Sequence, residues 1–212
     1  MRITSDLIAR TALRLLNDVG LDGLTMRMLA TELGVQAPTL YWHVKNKQQV
    51  VDAMADLISA AVADGLEAPP QGMAWQEWAG DLARKMRRTM LGFRDGARVA
   101  AGAYSSHPAV TRTVELTLRT LADAGFPVVE AARAFPAVLH YTVGFTIEEQ
   151  ARTGLSYDGS SPYTERGLVV DPERHPLTAS VAEELFPADS DTAFEYGLQI
   201  VLTGMRVQVL GS

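Results

Sequence analysis

Between residues 25 and 47 the chain carries Arg27, Gln36, Thr39, Tyr41, Trp42, His43, Lys45 and Lys47. Guanidinium and ammonium groups grip phosphate oxygens, and an arginine can also give a bidentate pair of hydrogen bonds to a guanine edge. Hydroxyl and imidazole groups donate to a sugar-phosphate backbone, while an indole offers an apolar face to a thymine methyl. This is chemistry for reading a DNA duplex, and the candidate readers are Arg27, Gln36, Ala37, Pro38, Thr39, Tyr41, Trp42, His43 and Lys47. The competing reading is a small packing unit with Tyr41 and Trp42 as core aromatics. The density of Tyr41, Trp42 and His43 beside two lysines exceeds what packing requires.

Such side chains need a short helix to present them, and the flanking residues supply one. Thr25 caps a helix bearing Met28, Leu29, Ala30 and Leu33, and Gly34 stops it. After Val35 and Gln36, Pro38 suits the first turn of a third helix running from Ala37 to His43, whose Leu40 faces back to the core. Ahead of the pair, apolar residues from Leu7 to Val19 recur at three- and four-residue steps, which predicts a first helix ending at Gly20. Asn46 reads as the cap of a long fourth helix reaching Gly65. This is a helix-turn-helix arrangement, with the second helix of the pair sized for a major groove.

Beyond the break at Pro69-Pro70, helical spacing marks Trp75 to Phe93, Gly96 to Gly102, Pro108 to Ala124 and Pro127 to about Gln150. Residues 152 to 176 read as a long loop, followed by helices over Leu177 to Phe186 and Thr192 to Leu210. In the last of these, Gly197 and Gly204 share a face with Ile200 and Val201, where a second helix can approach. The fold class is all-α: an N-terminal three-helix helix-turn-helix domain over residues 1–47, and a larger helical ligand-binding and dimerisation domain over 48–212. Apolar residues on more than one face of the 127–150 helix and of the last helix would leave an exposed patch on a single copy, so a homodimer is expected.

Composition bounds the function. The 212 residues are 47% apolar and 21% charged, ordinary for a globular chain, and contain no cysteine, which excludes disulfides, thiolate metal sites and a cysteine nucleophile. No stretch resembles a membrane span, so a cytoplasmic protein with no membrane partner is expected. The net charge of −6 is uneven: residues 1–47 hold six basic against four acidic side chains, leaving −8 for the rest. Gly-x-Ser-x-Gly, a Walker loop, a dinucleotide-binding glycine fingerprint and His-Glu-x-x-His are all missing, so neither enzymatic activity nor a cofactor is expected.

The runs Leu21-Asp22-Gly23-Leu24-Thr25, Leu29-Ala30, Leu33-Gly34-Val35 and Pro38-Thr39-Leu40-Tyr41-Trp42-His43-Val44-Lys45-Asn46-Lys47 resemble the DNA-binding domain of the TetR family, in particular its tetracycline repressors. The resemblance continues through Arg94-Asp95-Gly96-Ala97, Thr113-Val114-Glu115, Ala124-Gly125-Phe126 and His140 to Glu149. It implies a homodimer on a near-palindromic double-stranded DNA operator, contacted by the residues matching Arg27, Pro38, Thr39, Tyr41, Trp42, His43 and Lys47. Ala37 stands where the tetracycline repressors have a base-reading glutamine, which implies a different operator.

The resemblance also implies an effector pocket in the body. Tetracycline-binding members hold the drug through a divalent metal with a histidine and a threonine near the sixth helix, and with an asparagine and another histidine nearby. This chain matches those positions with Ala100, Ala103, Leu82 and Ala63, so no metal is expected. His140 and Glu148 match polar positions lining or flanking the pocket, and Thr117 stands at a glutamine position. Leu82, Met86, Ala100, Ala103, Tyr104, Thr117, Phe135, His140 and Glu148 are thus the candidate ligand-binding residues, for an apolar or aromatic small molecule. The alternative is a regulator that binds DNA constitutively, without an effector.

Overall fold

The computed structural model describes residues 2–105, 107–152, 170–185 and 189–211. Eleven helices occur among them: α1 (Ser5–Gly23), α2 (Met26–Glu32), α3 (Ala37–Leu40), α4 (Lys47–Ala63), α5 (Trp75–Leu91), α6 (Gly96–Ala101), α7 (Pro108–Asp123), α8 (Val128–Arg152), α9 (Pro176–Ser180), α10 (Ala182–Leu185) and α11 (Ser190–Leu210). No strand occurs among the described residues, and the class is all-α. Most of the loop expected over 152–176 lies outside the described residues, as does Phe186.

Local chemistry accounts for the N-terminal helices. Thr4 accepts the Leu7 amide on its hydroxyl at 3.1 Å, which starts α1, and Ile8, Ala12, Leu15 and Leu16 bury its apolar stripe. Gly20, at φ 68°, kinks the helix rather than ending it, and a further helical turn runs on to Gly23. Thr25 caps α2 by accepting the Met28 amide at 3.2 Å. Gly34 then adopts φ 67°, a left-handed conformation that a Cβ would strain. This lets the Val35 amide reach the Ala30 carbonyl at 2.9 Å and its own amide reach Thr31 at 3.0 Å, satisfying the end of α2.

The third helix is shorter than its sequence pattern predicts. Regular structure ends at Leu40, and Tyr41, Trp42 and His43 form a turn. The amides of His43 and Val44 both return to the Leu40 carbonyl at 2.9 Å, which tightens the backbone and carries Val44 into the core. Asn46 accepts the Gln49 amide at 2.9 Å and starts α4, as its residue type predicts.

Two cores divide the molecule, and α4 belongs to both. One gathers Leu16, Leu29, Leu40, Val50, Met54 and Ile58 with Met90, Ala97 and Val99 from α5 and α6. The other gathers Val62 with Trp78, Leu82, Leu121, Val138, Phe194 and Leu198. Each fully buried leucine in such a cluster contributes about 1.5–3 kcal/mol. The C-terminal end of α4 is held from two sides. Arg112 of α7 donates to the carbonyls of Ala63 (3.2 Å) and Leu66 (2.7 Å), and Lys85 of α5 donates to that of Asp64.

Arg87 joins three helices at the far side of the second core. Its guanidinium forms a bidentate pair with Glu149 of α8 at 2.8 and 2.6 Å, donates to Asp191 of α11 at 2.7 Å, and lies 4.9 Å from the Phe194 ring centroid. Nearby, Tyr141 of α8 donates its hydroxyl to the Phe194 carbonyl at 2.8 Å, and burial raises its pKa to about 12. A Cβ at Gly197 would overlap that hydroxyl, so this glycine receives α8 of the same chain. Gly204, expected to act with it, has no such neighbour within 4 Å and is exposed.

Candidate nucleic-acid interface and cavity

The turn after α3 presents its aromatics to solvent. Leu40 is fully buried beneath it, whereas Tyr41 is 51% and Trp42 87% exposed, and His43 is exposed beside them. The phenol and the indole thus form a solvated aromatic patch on an anchored turn. Arg27 on α2, and Gln36 and Pro38 at the start of α3, are also exposed. Gln36 precedes α3 without capping it, which leaves its amide unused. Thr39 is half-buried, and Ala37 packs against the first core. Lys47 is half-buried too, with Nζ donating to the Leu21 carbonyl at 2.7 Å. It is therefore an internal tie between the start of α4 and the end of α1.

A cavity of about 310 Å³ lies between α4, α5, α6, α7 and α8. From α4 come Ala55, Ile58, Ser59 and Val62, and from α5 Met86 and Met90. Ala100, Ala103 and Ser105 close one end, while Thr113 and Val114 of α7 face Phe135, Leu139 and Val143 of α8. Among the described residues, no ionisable side chain lines it.

Of the expected ligand residues, Met86, Ala100, Ala103 and Phe135 meet at this cavity. The other five lie away from it. Leu82 is buried in the second core and borders a separate hollow with Trp78 and Arg88. Thr117 is buried one helical turn beyond Thr113, with its hydroxyl donated to the Thr113 carbonyl at 2.8 Å. Tyr104 is 83% exposed. His140 and Glu148 are exposed on the outward face of α8, because the cavity meets the opposite stripe of that helix.

The structure adds residues that the spacing alone did not single out. Gln48, Asp52 and Asp56 lie four residues apart on one face of α4. Gln48 donates to the Gly102 carbonyl at 2.9 Å, Asp52 accepts the Tyr104 amide at 3.2 Å, and Asp56 accepts the Ser105 hydroxyl at 2.5 Å. This ladder ties the cavity's closing segment to the helix that follows the reading turn. A polar stripe on an otherwise apolar helix was its sequence signal.

A second tie runs through Asp95, which is buried and adopts φ 56°. It accepts the Leu21 amide at 2.8 Å and pairs with Arg98 at 3.2 Å, and Arg98 also pairs with Asp22 at 3.1 Å. The Arg98 hydrogen bond lowers the pKa of Asp22. From α8, Gln150 donates to the carbonyls of Met90 (3.3 Å) and Phe93 (2.7 Å) and accepts the Ala97 amide at 3.1 Å. The α5–α6 corner is thus held from both the α1 side and the α8 side.

Comparison with known proteins agrees with this architecture. The family described as "Bacterial regulatory proteins, tetR family" matches residues 8–54, and "Tetracyclin repressor-like, C-terminal domain" matches residues 68–209. Tetracycline repressor protein class D of Escherichia coli is 36% identical over 208 residues, covering 98% of this chain and 91% of that protein. A crystal structure of a possible TetR family transcriptional regulator from Streptomyces coelicolor A3(2) superposes with a TM-score of 0.85 at 38% identity, covering 96% of this chain and 98% of that one. The Streptomyces coelicolor TetR family protein ActR, in complex with actinorhodin, superposes with a TM-score of 0.82 at 28% identity, covering 98% and 99% of the two chains. With an exposed reading turn set on a buried leucine and a cavity tied to the adjoining helix, this chain belongs to the tetR family of bacterial regulatory proteins and is a transcriptional repressor, not an enzyme.

Proposed function

We propose that the protein binds a palindromic operator as a homodimer and is released from it by a small, apolar or aromatic effector. The supporting observation is the hydrogen-bonded ladder from Gln48, Asp52 and Asp56 to residues 102–105, which joins the cavity wall to α4. In this reading residues 1–47 form the reader, and Arg27, Gln36, Ala37, Pro38, Thr39, Tyr41, Trp42, His43 and Lys47 face the duplex. Residues 48–212 sense the ligand and dimerise. The protein acts in the cytoplasm, where its DNA lies.

Two readers must sit about 34–36 Å apart to enter successive major grooves on one face of DNA. A ligand that displaces the 102–105 segment moves α4 through the ladder and spoils that separation. Hundredfold release requires the ligand to favour the non-binding arrangement by about 2.7 kcal/mol. The apolar cavity and the actinorhodin complex of ActR favour an effector of this kind. With alanines at residues 100 and 103, no metal bridge is required.

For dimerisation, the outward faces of α8 and α11 carry apolar and small residues: Tyr196 (73% exposed), Ile200 (59%) and Val207 on α11, and Ala137 and Gly144 on α8. A second copy packed across them would form a four-helix interface and enclose His140.

Mobility-shift titration against the DNA flanking the gene tests the reading. Specific retardation reversed by an apolar aromatic ligand is expected. Specific binding that no ligand alters would favour the constitutive regulator, and failure to bind any specific sequence would remove the operator model. Tight, magnesium-dependent tetracycline binding by calorimetry would overturn the metal-free effector.

A further inference from the structure

The polar atoms of the cavity are few, and their hydrogen-bonding states differ. Among the described lining residues, Ser59, Ser105 and Thr113 carry a polar group. Thr113 spends its proton on the Ala109 carbonyl at 2.9 Å, within its own helix. Ser105 spends its proton on Asp56 at 2.5 Å, so toward the cavity its oxygen can only accept. One lone pair of that oxygen receives the His107 amide at 3.4 Å, and the other is open. Ser59, one helical turn from Asp56 on α4, has no hydrogen-bond partner among the described residues, so its proton is available. Among the described residues the cavity therefore holds one free hydroxyl donor, at Ser59, and an oxygen at Ser105 restricted to accepting; the Thr113 oxygen also only accepts, and hydrocarbon lines the rest.

We infer that the effector is an uncharged, bicyclic or tricyclic hydrophobic molecule bearing a hydroxyl group, which accepts from Ser59 and donates to Ser105. This deepens the effector reading above and rests on it. A hydroxyl satisfies both serines at once. A carbonyl satisfies only Ser59, and a bare hydrocarbon neither. A carboxylate gives Ser105 no proton and sets its charge beside Asp56, in a cavity with no cation to pair with it. The volume of about 310 Å³ sits at the small end of ligand sites, which limits the ring count.

Calorimetric titration of the full-length protein with naphthalene, 2-naphthol and 2-naphthoate at neutral pH tests this. We expect 2-naphthol to bind at least tenfold tighter than naphthalene and at least a hundredfold tighter than 2-naphthoate. Ser59→Ala should erase the preference for 2-naphthol over naphthalene while leaving naphthalene affinity within twofold, and thermal melting of the variant checks its fold. Ala100→Trp, which fills the cavity from α6, should abolish binding of all three. Equal or tighter binding of 2-naphthoate, an unchanged 2-naphthol preference in Ser59→Ala, or no binding by any of the three would overturn the inference. Operator binding measured in the same samples separates the two levels: 2-naphthol bound at the serines without DNA release sinks the effector role and leaves the ligand chemistry standing.

Discussion

Trp42 concentrates the question at the scale of single residues. Its indole contributes little to folding because it is almost wholly in water, while Leu40 two positions earlier anchors the turn. Trp42→Ala should therefore change stability by less than about 0.5 kcal/mol. It should weaken operator binding by about 1.4–2.7 kcal/mol, roughly ten- to a hundredfold, in a fluorescence-anisotropy titration. A second residue-scale expectation concerns acid. Arg84 donates to both carboxylate oxygens of Glu195 at 2.7 Å and lowers its pKa below the ordinary glutamate value. A depressed carboxylate stabilises the fold above its unfolded pKa, and that contribution disappears as pH falls through the folded one. Both side chains are partly exposed, so the contribution is of order 0.2–1 kcal/mol. Glu195→Gln should flatten the acid limb of a melting-temperature profile below about pH 4.3 and lower the neutral-pH plateau.

Among the elements, α3 and α8 show why the reader was legible and the cavity only partly so. Thr25, Gly34 and Asn46 act on their immediate neighbours, and their residue types state the cap or turn they form. The reading turn could therefore be placed from the sequence, apart from its tightening after Leu40. By contrast, α8 has apolar residues on several faces, so its periodicity could not decide which stripe meets the cavity. The structure turns Phe135, Leu139 and Val143 inward and leaves His140 and Glu148 outside. The family likeness placed those two among the expected ligand residues, and in the structure they lie on a stripe of α8 that does not line this cavity. The ladder on α4 gives a prediction at this scale. Asp52→Ala removes the acceptor for the Tyr104 amide and one partner of Gln48, hydrogen bonds worth about 0.5–1.5 kcal/mol each. Operator affinity should stay within about threefold, while the effector concentration needed for half-release rises at least tenfold. Mobility shifts over a ligand series would show it, and an unchanged release curve would deny the ladder its role.

For the whole molecule, the proposed dimer places its interface on the outward stripe of α8 and α11. Ile200→Glu places a charge in the proposed four-helix interface but, at 59% exposure, leaves the monomer's own core intact. Sedimentation velocity at micromolar concentration should then change from dimer to monomer. Operator affinity should fall at least a hundredfold with helical content unchanged. In the proposed switch the pinned C-terminal end of α4 would make that helix a lever with its pivot at Arg112 and Lys85. Seventeen residues at 1.5 Å each give an arm of about 25 Å. A tilt of about 5° would therefore sweep the Lys47 end through about 2 Å, while the cavity-lining residues Ala55, Ile58, Ser59 and Val62, closer to the pivot, would travel about half as far or less. This gearing multiplies a sub-ångström push, so where a molecule presses along the arm counts for more than how large it is.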